Sequence, residues 1–220
     1  MSGLNSPVNA DNQTAENLIL AGIDLFGEHG FSGTTTRMIA TAAGANIGSI
    51  AYYFGNKHGL YLAAARHIST RLREDLQLGE MGITYDHAQT LGEDSARRLL
   101  EQLMGRMVHL FMERPEARRW LMLVMREQAN PSEAFDILYR DAFEKAHVAV
   151  TTLVSVLMKR PASDQQVILE AHTLVGQVVF FLVGRTPLLR RLGAGEQFDP
   201  ETIALAEAVV VSHVRRMTRT

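Results

Sequence analysis

Between Thr34 and Lys57 the chain places hydroxyl, amide, phenol and cationic groups on two short apolar frames. The stretch reads Thr-Thr-Thr-Arg-Met-Ile-Ala-Thr-Ala-Ala-Gly-Ala-Asn-Ile-Gly-Ser-Ile-Ala-Tyr-Tyr-Phe-Gly-Asn-Lys. Nothing comparable elsewhere suggests bond chemistry. The 220 residues include no cysteine, which removes disulfides, thiolate metal sites and a cysteine nucleophile. There is no His-Glu-x-x-His zinc motif, no glycine-rich phosphate loop and no Gly-x-Ser-x-Gly elbow. Glu170 and His172 do not make a catalytic set by themselves. An all-helical enzyme is therefore the poorer reading, and neither a cofactor nor a metal is expected.

The Thr34–Lys57 stretch is better suited to holding two helices against each other. A helix-turn-helix needs two helices crossing steeply through a short turn that contains glycine. A helix is expected over 35–43, with Ile39, Ala42 and Ala43 as a small apolar face, and Gly44 makes the turn. A second helix is expected over 46–54, anchored by Ile50 and Phe54 at i and i+4. That leaves Ile47, Gly48, Ser49, Ala51 and Tyr52 outward. Small residues there let a helix sit deep in a DNA major groove, about 12 Å wide. Tyr52 and Tyr53 are adjacent and cannot share one helix face, so at least one is expected outside. Charge argues the other way. The chain carries a formal net charge of -2, and residues 1–60 hold only Arg37 and Lys57 against Asp11, Glu16, Asp24 and Glu28. Helix N-terminal amides supply phosphate contacts that need no basic side chain.

This stretch resembles the TetR family of bacterial repressors. The resemblance rests on Thr-Thr before the second helix, Ile39-Ala40, Ala43-Gly44, Gly48-Ser49-Ile50, Tyr53-Phe54, Lys57 and Leu60, and it covers residues 14–62. It implies that Asn46 caps the recognition helix. It also implies that Ser49 and Tyr52 touch bases or phosphates, and that Tyr53 and Lys57 bind the phosphate backbone. Thr36 and Arg37 would reach the backbone or a flanking base. Two positions depart from the pattern. Ala51 stands where tyrosine is frequent, and Ile47 where a polar residue is common. Ile47 is suited to a thymine methyl.

Helical spacing dominates the whole chain, so the expected fold is all-α, with about nine helices. Residues 1–13, polar and containing Pro7, read as a flexible arm. Residues 14–60 read as the DNA-binding domain and 61–220 as a ligand-binding and dimerisation bundle. Helices are expected over 14–29 (stopped by Gly30), 57–78, 93–113, 116–129, 132–159, 163–184 (Ser163 and Gln166 as a capping box) and 200–217 (capped by Asp199). The segment 79–92 reads as loop. No secretion signal and no run of about eighteen apolar residues is evident, so a cytoplasmic protein with no membrane span is expected.

Met125–Ala134 and Ala171–Val178 resemble a TetR subgroup, the CecR-like repressors, which implies a ligand-responsive regulator. The family pairs its last long helices with their symmetry mates. On that basis Gly176, Val179, Phe180, Val183, Ile203, Val210 and Val214 are expected at a homodimer interface. A partly apolar small-molecule effector is expected against Met104, Met107, Phe111, Trp120 and Phe143, with Arg126, His147, His172 and Gln177 as polar contacts. Plain core packing is the competing reading of that methionine-rich region. The expected function is a repressor of double-stranded operator DNA with palindromic half-sites, released when the effector shifts the fourth helix. A ligand-binding helical dimer without DNA binding is the alternative.

Overall fold

The computed structural model describes residues 7–86 and 90–217. Among them every regular element is helical. In order they are α1 (Pro7–Gly33), α2 (Thr36–Ala43), α3 (Gly48–Phe54), α4 (Lys57–Asp75), α5 (Leu78–Met81), α6 (Glu93–Glu113), α7 (Pro115–Ala129), α8 (Glu133–Leu138), a π-helical turn (Tyr139–Phe143), α9 (Glu144–Met158), α10 (Gln165–Val183), α11 (Arg185–Leu192) and α12 (Pro200–Arg216). The chain forms two compact units. The first runs to Thr70 and also takes in Arg119–Asp141; the second comprises Arg71–Arg118 and Ala142–Thr220. This differs from an expected break at residue 60, because most of α7, from Arg119 on, and all of α8 fall with the N-terminal helices.

Several boundaries follow from local chemistry. Helix α1 begins inside the segment read as an arm, at Pro7, whose missing N–H is no loss in a first turn. Gly30 does break its geometry, with φ 73°, but the helical run resumes to Gly33. The cap of α10 is Asp164, whose side chain accepts from the Gln166 N–H at 2.8 Å, and not Ser163. Asp199 caps α12 as expected, accepting from the Thr202 N–H at 2.7 Å, with Pro200 opening the helix. The single helix expected over 132–159 is instead α8, the π-turn and α9. Apolar spacing does not distinguish a π-turn from continuous α-helix, because one extra residue merely rotates the stripe.

In the second unit α6 packs against α9, α10 and α12, and α9 packs against α10. Leu100, Leu103, Met104 and Val108 of α6 are buried, with Val150 and Leu153 of α9 and Val167, Ala171 and Val178 of α10. Arg185, at the start of α11, is also buried. It donates to the carbonyl of Met112 at 3.1 Å, near the end of α6, and to that of Glu196 at 3.0 Å, and lies 4.5 Å from the Phe198 ring. A cation there offsets the negative end of the α6 dipole.

Helix α10 is apolar on two faces. Val167, Ala171, Leu174, Val178 and Leu182 point inward, while Ile168, Leu169, Phe180 and Val183 are exposed. By length and composition this helix is apolar enough to cross a membrane, with a mean hydropathy of 1.6. It contains no uninterrupted run of eighteen apolar residues. After Gln165 and Gln166, four polar residues, Glu170, His172, Thr173 and Gln177, interrupt the apolar run.

Candidate DNA-binding interface

The first unit positions α2 and α3 through named contacts. Thr35 caps α2, its side chain accepting from the Met38 N–H at 3.2 Å. Ile39 and Ala40 are the buried face of α2; Ala42, expected there, is exposed. Gly44 then takes the left-handed conformation, φ 62° and ψ 30°, and its N–H returns to the carbonyls of Ala40 and Thr41. A residue with a Cβ is strained in that region, so glycine is the residue the turn requires. The Asn46 side chain accepts from the Gly48 N–H at 2.9 Å and so caps the first turn of α3. Ile50 is buried and Phe54 half-buried, which anchors α3. Gly59 lets α4 start hard against the end of α3: a Cβ there would lie 2.0 Å from the Phe54 carbonyl oxygen.

The outer surface of α3 is open. Ile47 is 50% exposed and Tyr52 77% exposed, with Gly48 and Ala51 also at the surface and Ser49 half-buried. Tyr53 is half-buried and stands edge-on to Tyr52, ring centroids 4.8 Å apart. At the head of α2, Arg37 is exposed and Thr36 half-buried. The candidate DNA-reading residues on α2 and α3 are therefore exposed or half-buried, and none lies in the core.

Lys57 is differently employed. Its ammonium donates to the carbonyls of Phe31 and Thr34, both at 2.9 Å, and lies 4.3 Å from the Phe31 ring centroid. It ties the start of α4 to the segment leading into α2. Two of its three protons are spent there, a use that only the tertiary fold reveals. The buried Thr34 hydroxyl lies 2.9 Å from the Leu25 carbonyl and 2.8 Å from that of Gly30, completing this junction.

Arg126 and Glu127 also belong to this unit. The Arg126 guanidinium donates to the carbonyls of Gly27 at 2.7 Å and Glu28 at 2.8 Å, near the end of α1. Arg126, expected beside an effector, is thus engaged with backbone. Glu127 is buried and accepts from the Tyr61 hydroxyl, from the Ser132 N–H at 3.1 Å and from the Ser132 hydroxyl at 2.8 Å. Tyr61 stands edge-on to Phe26 at 4.8 Å and Phe31 at 5.2 Å. Burial, and then its bond to Glu127, holds this phenol above the usual tyrosine range. These residues carried no signal of their role in the sequence beyond an Arg-Glu pair at a helix end.

The remaining effector candidates are spread through both units. Trp120 is buried in the first unit. In the second, Met104 and Met107 are buried, and Phe111, Phe143 and Gln177 are half-buried. Gln177 is paired with His213 at 2.8 Å. His147 and His172 stack, ring centroids 5.4 Å apart and planes 17° apart. Burial, and then the neighbouring His172, pushes His147 below the usual histidine range. A surface cavity of about 420 Å³ lies instead against Gln102, Arg106, His109, Arg114 and Glu207, residues the sequence reading had not named. His109 there bridges Glu113 at 3.1 Å and Glu207 at 3.2 Å.

Of the dimer candidates on α10, Phe180 is 66% exposed, Val183 and Gly176 are exposed and Val179 is half-buried. On α12 the expectation fails. Ile203, Val210 and Val214 are buried within the subunit, on the face that packs against α6. The exposed apolar residues of α12 are Leu205 and Val209.

A glycine-hinged helix pair with an open second helix, followed by a helical bundle, defines a one-component DNA-binding regulator. Residues 18–64 match the model of the bacterial regulatory proteins of the tetR family, and residues 96–219 match that of the C-terminal domain of the HTH-type transcriptional dual regulator CecR. The chain is 31% identical over 203 residues to the dual regulator CecR of Shigella flexneri, covering 92% of this chain and 90% of that one. The repressor AcnR of Corynebacterium glutamicum is 43% identical over 49 residues, covering 22% and 26% of the two chains. Among solved structures, a regulator from Pseudomonas aeruginosa PAO1 superposes with a TM-score of 0.61 at 18% identity, over 94% of each chain. AibR, solved in complex with isovaleryl coenzyme A and operator DNA, superposes with a TM-score of 0.60 at 14% identity, over 91% of this chain and 97% of that one. The chain belongs to the TetR family of transcriptional regulators, in its CecR group. Its relatives are DNA-binding regulators and not enzymes.

Proposed function

We propose that this regulator acts as a homodimeric repressor in the cytoplasm, placing the outer face of α3 in the major groove of each half of a palindromic operator. The observation that carries this is the exposure of Ile47 and Tyr52 on a helix whose opposite face, at Ile50, is buried. Ser49, Tyr52 and Ile47 read base edges. Asn46, whose side chain holds the Gly48 N–H, fixes the start of the helix against the duplex, Gly48 lets the backbone come close, and Thr36, Arg37 and Tyr53 meet phosphates. Lys57 holds the unit's shape and offers at most one proton to the backbone of DNA. In a dimer the two α3 helices must lie about 34 Å apart, one turn of duplex.

The outward face of α10, with Gly176, Phe180 and Val183, is the proposed dimer surface. Exposed Phe180 and Leu169 on a regular helix favour burial against a second copy. A small-molecule effector bound in the second unit lowers operator affinity. Helix α4 is the covalent route for that signal, since its chain passes from one unit to the other at Thr70–Arg71. Coupling of this kind requires that the effector bind the two states unequally.

A gel shift on the DNA immediately upstream of the gene tests the reading. Sequence-selective retardation that weakens steeply with salt is expected, because phosphate contacts release counterions. Retardation no stronger than on unrelated DNA at every salt concentration would leave only the ligand-binding dimer. Phe180→Glu is expected to convert a dimer into a monomer in sedimentation analysis, and an unchanged sedimentation coefficient excludes α10 as the interface.

A further inference from the structure

We propose that the surface cavity beside the end of α4 is a binding site for an acidic α-amino acid. The cavity, about 420 Å³, is lined only by residues of the second unit. That volume is in the ordinary range of small-molecule sites, roughly 300–1,000 Å³. Its lining includes Asp75 at the end of α4, Arg106, Leu110 and Arg114 along α6, and Glu207 of α12. Three of these charges lack a counter-charge. Arg106 is half-buried, and its one hydrogen bond is a long one, 3.4 Å to the Leu76 carbonyl. A guanidinium has five N–H donors, so most of this fork is unused. Leu76 follows Asp75 directly, so Arg106 and Asp75 meet at the same end of α4. Yet the two do not pair, and among the described residues the side chains of Asp75 and Arg114 have no ion pair or hydrogen bond.

Glu207 pairs with neither arginine. It is held by His109 at 3.2 Å, and Gly105 makes room for it: a Cβ there would lie 2.5 Å from a Glu207 carboxylate oxygen. Unpaired charges of both signs on one cavity call for a ligand that carries both. The ammonium of an amino acid answers Asp75, and a carboxylate answers the open fork of Arg106, bidentate in the strongest arrangement. Arg114 lies two turns further along α6, about 12 Å along the axis, within the combined reach of two arginine side chains. It takes the second carboxylate of an acidic amino acid. Leu110, between the two arginines, offers the methylenes an apolar contact. A plain organic acid would leave Asp75 unanswered and repelled, and a plain amine would leave both guanidiniums so. As the effector, a role that rests on the repressor reading above, such a molecule engages Arg106 where it holds the end of α4, the helix that leads to the DNA-binding unit.

Full-length protein is titrated by calorimetry, in a buffer free of zwitterions, with L-glutamate, with glutarate, which lacks the ammonium, and with 4-aminobutyrate, which lacks one carboxylate. The expected result is one saturable L-glutamate per chain, with both analogues weaker by about tenfold or more, the loss of one hydrogen bond to a charged group. Arg106→Gln is expected to weaken L-glutamate by a similar factor. Asp75→Asn is expected to weaken L-glutamate and to leave glutarate no weaker, since it relieves a repulsion. Neither residue belongs to the core, and circular dichroism verifies the fold of each variant. No saturable L-glutamate binding by the wild type, glutarate bound as tightly as L-glutamate, or binding unchanged in both variants overturns the site. In a gel shift, saturating L-glutamate is expected to release operator DNA from the wild type and not from Arg106→Gln. Equal release from both overturns the assignment to this cavity while the repressor reading stands. L-Glutamate binding that is lost in Arg106→Gln, by a protein that selects no DNA, supports the cavity and removes the repressor reading.

Discussion

Tyr52 and Tyr53 are neighbours with opposite circumstances. Tyr52 stands 77% exposed and Tyr53 is half-buried against it. Truncating Tyr52 removes no core packing, so Tyr52→Ala should leave the melting temperature unchanged. It should weaken operator binding by about 1–3 kcal/mol, the range of a good base contact. Equal binding in a fluorescence anisotropy titration would remove Tyr52 from the interface. Glu127 makes the opposite case. Glu127→Ala leaves the Tyr61 hydroxyl and the Ser132 N–H without their acceptor, a loss of about 1–3 kcal/mol. For a chain of this size that lowers the melting temperature by roughly 2–4 °C per kcal/mol. Glu127→Gln keeps one acceptor oxygen and should fall between. A melt unchanged by both would show that water serves equally well there.

At the scale of elements, α12 shows how one helix divides its apolar residues. Val210 is buried against the subunit's own core and Leu205 is 65% exposed. Val210→Ala removes two buried methyl groups and is expected to cost about 2 kcal/mol in chemical denaturation. Leu205→Ala should change the stability of the isolated subunit by no more than about 0.5 kcal/mol. Equal losses in the two variants would contradict the orientation of α12. The α8–π–α9 segment gives the complementary lesson. Its apolar spacing is nearly continuous, yet a π-helical turn over Tyr139–Phe143 interrupts the α-helix. Legibility in the sequence was thus high for helices bounded by caps, such as α12 behind Asp199, and low where a break leaves no polar signal.

For the whole molecule, His109 links α6 to α12 through Glu113 and Glu207, and this makes stability depend on pH. The bond to Glu113 raises the affinity of His109 for a proton above the usual histidine range; partial burial opposes this, and Glu207 adds to the rise. A base whose folded pKa is raised stabilises the fold fully below its unfolded value, about 6.5, and loses that contribution as pH rises through the folded value. The difference in melting temperature between wild type and His109→Gln should therefore be largest near pH 6 and shrink above neutrality. A difference that is constant from pH 6 to pH 9 would show that the charge on His109 contributes nothing. Comparison with the variant matters, because His147, held low by burial, opposes protonation of the folded state over the same acidic range.

What could be read from residue order alone is local. A glycine at Gly44 must permit a left-handed turn, Asn46 and Asp199 cap the amides that follow them, and the i, i+4 pair Ile50 and Phe54 marks one side of a short helix. These are effects of a few bonds' range, so neighbouring residues carry them. Folding alone decided the long-range assignments. Lys57 and Arg126 are cations free to reach any acceptor, and only the packed chain offers them the carbonyls of Phe31, Thr34, Gly27 and Glu28. On α10, apolar on both sides, and on α12, with apolar residues left over outside, composition cannot say which stripe turns inward. The helices packed against them do, because burial is a property of the partner surface and not of the stripe itself.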